Sequence, residues 1–172
     1  MRKSAALWVA ITLMAARIVG AREDVSVPEP LGSAFMLLGW SGDAVPHVEI
    51  VTTRPRYVAA TAEAWVRFDS ADQPVPTIYL RADTEVYRDA KAHDYQALVR
   101  LAGILAHERW HLTHGHDEVG AYTVQLSTME HLHANDTRLA EVRRALQQLK
   151  RDGTGTAQHR PRSQRPGADP TR

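Results

Sequence analysis

Residues 101–122 read LAGILAHERWHLTHGHDEVGAY, and the organisation of the chain follows from how this stretch is read. It holds an HExxH motif, His107-Glu108-Arg109-Trp110-His111, and a further acid, Glu118, seven residues past the second histidine. On an α-helix, positions i and i+4 lie on one face, so His107 and His111 can grip one metal ion, with Glu108 beside them. Leu98, Leu101, Leu105 and Leu112 recur at helical spacing around the motif, and Val99, Ala102, Ala106 and Trp110 widen the stripe. No proline interrupts it. The pattern predicts a largely buried helix that carries two imidazoles and a carboxylate inward. Two neutral imidazoles, one further ligand and a carboxylate base are what metal-assisted hydrolysis needs.

Geometry narrows the choice of third ligand. If one helix ran straight on, Glu118 would sit about 10 Å along the axis from His111, too far to share an ion. Gly115 offers a break, because glycine readily takes the left-handed conformation that ends helices. Asp117 can then cap a second helix beside the first, with Glu118 in its first turn and able to reach back. His114 lies one turn too far along. His116, in the same tight turn, competes with Glu118 for the role.

On these residues the chain resembles the zincin metallopeptidases, and among them the gluzincins, whose third ligand is a glutamate on the following helix. The resemblance implies zinc held by His107, His111 and Glu118, and Glu108 as general base on a zinc-bound water during peptide-bond hydrolysis. The family glutamate is often followed at +3 by a small residue and at +4 by an acid. Here Ala121 meets the first and Tyr122 replaces the second, which leaves Asp117 as the candidate to support a ligand histidine. The metzincin pattern fits worse, since its glycine and third histidine fall on His114 and Asp117. Arg109 is charged where the stricter consensus prefers an uncharged residue. The resemblance covers residues 104–125.

Length and composition bound the rest. A chain of 172 residues is one domain with tails, and its 44% apolar content suffices for a core. With no cysteine, disulfide scaffolds and thiolate chemistry are excluded. A formal charge of +1 argues against nucleic acid as the main partner. Residues 1–21 have the form of a signal peptide: a basic start, an apolar stretch too short to span a bilayer comfortably, and small residues ahead of a cut after Ala21. Its removal takes away three positive charges and no acid, leaving about −2. The expected location is therefore the periplasm or outside, with membrane attachment only if the segment stays uncleaved.

In chain order, residues 22–30 are expected to form a linker, residues 31–150 the metallopeptidase domain, and residues 151–172 a disordered basic tail rich in Gly, Pro and Arg. Residues 31–40 are apolar and fit either a helix or a strand. Residues 48–53, 65–68 and 77–81 read as strands, the last two as a hairpin, with a short helix over 57–64 between the first two. Residues 82–91 read as a polar connection. By resemblance to zincins, the strand over 77–81 is the candidate edge for an extended peptide, which would complete its row of backbone donors and acceptors. Past the motif, one helix runs from Glu118 towards His133. Another, carrying Leu139, Val142, Leu146 and Leu149, follows a break at Asn135 and Asp136.

The expected architecture is thus α+β and zincin-like: a small twisted, mostly antiparallel sheet on an active-site helix, then a glutamate-bearing helix and a third helix. The expected partner is a peptide or protein substrate. The rival reading is a non-catalytic metal-binding envelope or interaction protein, a degenerate peptidase. Glu108 weighs against it, because a purely structural site has no use for a base there.

Overall fold

The computed structural model describes residues 27–156. They form an α+β domain of three strands and five α-helices, together with a short 3-10 turn at Gly42–Ala44. The expected signal segment lies outside the described residues, as does most of the expected tail. Just ahead of the first helix, the Leu31 N–H donates to the Pro28 carbonyl at 3.0 Å, and Pro30 is fully buried. At the other end, the last helix runs on to Thr156, into the stretch expected to be tail. Among the described residues no helix is long and apolar enough to cross a membrane.

Helix α1 (Leu31–Leu37) resolves the ambiguous apolar stretch, burying Leu31, Ala34 and Phe35 against the core. Three strands follow: β1 (His47–Val51), β2 (Ala64–Phe68) and β3 (Pro74–Arg81). The expected helix over 57–64 does not form; that segment is a series of turns leading into β2. Arg81 ties it down by donating to the carbonyls of Ala60 and Ala62 at 2.9 and 3.1 Å.

The sheet order is β1-β3-β2, with β1 parallel and β2 antiparallel to β3. The sheet is therefore mixed, not mostly antiparallel. The expected substrate edge at 77–81 is also overturned, because β3 is the central strand. Ile78 and Leu80 are fully buried because they project from the face of β3 that packs against the helices. The edges are β1 and β2, and β2 is the one that borders the motif helix. The Arg81 N–H donates to the Glu63 carbonyl at 2.9 Å, and the register pairs Trp65 with Tyr79. Bonded and unbonded pairs alternate in such a ladder, so the backbone groups of Ala64 and Val66 point to the free side of β2.

The expected polar connection contains α2 (Glu85–Lys91), capped by the Thr84 hydroxyl and burying Val86, Tyr87 and Ala90. The motif helix α3 (Tyr95–His114) starts where Asp94 accepts the Ala97 N–H at 2.7 Å. Leu98, Leu101, Ile104 and Leu105 bury its inner face against the sheet, α1 and α2. Helix α4 (Glu118–His131) packs along α3, and α5 (Asp136–Thr156) packs on α4 through Leu139 and Val142. Asn135 caps α5 by accepting the Arg138 N–H at 3.0 Å.

Candidate metal centre

The turn between α3 and α4 is three residues long, Gly115, His116 and Asp117, and it reverses the chain. Gly115 has φ 64° and ψ −136°, positive φ with an extended ψ, a conformation that side-chain-bearing residues rarely adopt. Asp117 caps α4, accepting the Gly120 N–H at 3.0 Å on one oxygen and the Trp110 indole N–H at 3.2 Å on the other. Its role is to start the helix. It does not support a ligand histidine, contrary to expectation.

This reversal brings Glu118 back to the motif. The Nε2 atoms of His107 and His111 are 3.2 Å apart, and the two Glu118 oxygens lie 3.6 Å from one or the other. One ligand atom from each of the three residues falls within 4.8 Å of the others, close enough to hold a metal ion. Ligands about 2.0–2.1 Å from a tetrahedral zinc are separated by about 3.3–3.4 Å, and the observed spacings fall to either side of that value.

Hydrogen bonding on the far sides of the rings sharpens the case. The Gly115 carbonyl, which can only accept, lies 2.6 Å from His111 Nδ1, so the ring proton sits there. His107 Nδ1 lies 3.2 Å from Gln125 Oε1. In neutral rings both Nε2 lone pairs then face one another and a carboxylate. Burial, reinforced by His111, pushes His107 down to about 4, which keeps the ring neutral at pH 7. Three acceptors converging without a donor repel one another, and a cation is what relieves them.

Glu108 is buried beside this cluster. Burial first, and the like charge of Glu118 second, push its carboxyl up to about 8, while a backbone hydrogen bond from Val66 works the other way. That bond comes from the free edge of β2, as the ladder alternation requires. A groove of about 990 Å³ runs between β2 and the helices, lined by His107, Glu108, His111, Glu118, Tyr122 and Gln125 near the cluster. At the end of the groove near Glu63, Arg100 of α3 pairs with Glu63 at 3.2 Å.

The other candidates are held elsewhere. His116 is bonded to Asp72 at 2.9 Å and stacks on Phe68, fastening the turn to the β2–β3 hairpin. His114 stacks on Trp110. Arg109, charged against the consensus, lies over the Trp40 ring at 4.5 Å. Tyr79 stacks on Trp65, and Tyr87 is core. Tyr122, standing where the family acid is expected, sets its ring edge-on to His107 at 4.6 Å. The residue missed from the sequence is Gln125. Its spacing carried the signal, because positions 118, 122 and 125 share one face of a helix.

No family model matches the chain, and neither a curated protein nor a solved structure does.

Proposed function

We propose that this chain is a metal-dependent hydrolase of peptide bonds, a zincin-like metallopeptidase, with zinc held by His107, His111 and Glu118. The observation that carries the reading is the convergence of two imidazole lone pairs and a carboxylate beside a second, buried carboxylate that ligates nothing. A bound zinc ion supplies a Lewis acid there, acidifying water and polarising a carbonyl oxygen. His107 and His111 hold that ion from one helix face, and Glu118 completes the set from the next helix.

Glu108 takes the proton of the attacking water and passes it to the leaving amine. Burial raises the proton affinity of this carboxylate, and a cation held at the neighbouring site would favour its ionised, proton-accepting form. Val66 fixes its direction through the backbone. The free side of β2 offers the substrate backbone a strand to pair with, along the groove and directly beside Glu108. With the basic-then-apolar start of the sequence, the reading is of an exported peptidase.

The test is to purify the full chain, measure bound zinc, and incubate it with a broad peptide mixture with and without chelator. Chelator-sensitive cleavage together with about one equivalent of zinc supports the reading. Zinc without cleavage would leave only the non-catalytic metal-binding alternative.

A further inference from the structure

Among the described residues, Gln125 is the one side chain outside the ligand set that contacts a ligand imidazole on its far nitrogen. We propose that Gln125 is the positioning residue of the centre: its amide oxygen holds the proton of His107 on Nδ1 and so turns Nε2 towards Glu118. The inference rests on the metal-centre reading above and names what sets one ligand of that site.

Three observations carry it. The amide and the ring are both buried, each 9% exposed, so water has little access to the bond. The two helices also meet closely enough for the bond because position 103 is glycine. A Cβ there would meet Met129 Cγ at 2.6 Å and touch Gln125 Cγ at 3.4 Å, so the Met129 side chain or the helix that carries it would have to shift. Finally, the other imidazole is held the same way, by the Gly115 carbonyl on Nδ1. Both rings are thus aimed by uncharged acceptors, one from the backbone and one from a side chain.

The choice of an amide has a chemical consequence. A carboxylate at this position would raise the basicity of the imidazole and add a negative charge beside the ion. An amide orients the ring without doing either, so Glu118 remains the only anionic ligand. Gln125 is therefore expected to give a correctly aimed but less tightly binding site than a glutamate would.

The test compares the full-length parent with Gln125→Met, which keeps the volume but removes the acceptor, and Gln125→Glu, which keeps the acceptor. Zinc affinity is read by competition with a chromogenic chelator. The His107 tautomer is read from imidazole 15N shifts in the metal-free parent and in both variants. Expected are an Nδ1-protonated His107 in the parent, loss of that tautomer with about 10–100-fold weaker zinc binding in Gln125→Met, and affinity at or above the parent in Gln125→Glu. If Gln125→Met does not fold, an Nε2-protonated His107 in the parent still overturns the inference. A parent that takes up no zinc overturns the metal centre and the inference together. Uptake of one equivalent with affinity and tautomer indifferent to residue 125 overturns the inference alone.

Discussion

Nδ1 of His111 lies 2.6 Å from the carbonyl oxygen of Gly115, so the residue that ends α3 also aims one of the candidate metal ligands. The two roles are coupled through one backbone conformation, φ 64° and ψ −136°. Gly115→Ala forces a side chain into that conformation, at a cost of about 1–3 kcal/mol, although nothing lies within 4 Å of an added Cβ. The expected outcome is a lower chemical-denaturation midpoint together with weaker zinc binding, because relaxing the strain moves both the carbonyl and Glu118. Loss of stability with unchanged zinc affinity would separate the turn from the site.

Glu108→Gln keeps the shape of the side chain and removes its ability to take a proton. The candidate ligand atoms belong to His107, His111 and Glu118, so zinc should still bind with one equivalent. Turnover should fall by about 10²–10⁴-fold, the usual worth of a positioned acid–base group. A pure, zinc-loaded variant cleaving peptides at the parental rate would remove Glu108 from the mechanism.

The parts of this molecule that were legible in the sequence are those governed by local rules. The α3 stripe, the Asp117 cap and the break at Gly115 follow from helical periodicity and backbone conformation, and Glu118 follows from them. Sheet order was not legible, because β1 and β2 compete for the flanks of β3 and nothing local decides which strand is central. Helix α2 was missed because only Val86, Tyr87 and Ala90 bury, within a charged stretch whose average reads as loop. Asp117 was given a supporting role by analogy with the family acid. Its capping bonds claim it instead, and the supporting role passes to Gln125 two turns along α4.

Glu108 also predicts a pH dependence in the metal-free chain. Its carboxyl sits at about 8 in the fold against 4.5 for the unperturbed group. The folded state therefore keeps a proton that the unfolded chain has released, so this contribution is fully present below the unfolded value and is lost as pH rises through 8. At pH well above 8 the full shift amounts to on the order of 5 kcal/mol. His107 acts at the other end: lowered to about 4 from 6.5, it costs stability as pH falls between those values. Comparing metal-free parent with metal-free Glu108→Gln isolates the first effect. The variant should gain on the parent steadily from about pH 5 to about pH 9 in denaturant titrations, and a constant difference across that range would mean that Glu108 ionises normally.

Removing ligands one at a time distinguishes Glu118 from its competitor in the turn. His116 is already bonded to Asp72 and stacked on Phe68, and freeing it to bind an ion would break both contacts. Glu118 faces the two imidazoles and is half exposed in the groove, with no helix cap or core contact to give up. A ligand at 100 times its dissociation constant stabilises the folded state by about 2.7 kcal/mol, so zinc should raise the melting temperature of the parent measurably. That rise should vanish in His111→Ala and in Glu118→Ala, and persist in His116→Ala. The last variant should instead lower the metal-free melting temperature slightly, since the clasp between the turn and the hairpin is lost. If zinc stabilisation disappears in His116→Ala and survives in Glu118→Ala, the third ligand is the histidine and the turn rearranges when the ion binds.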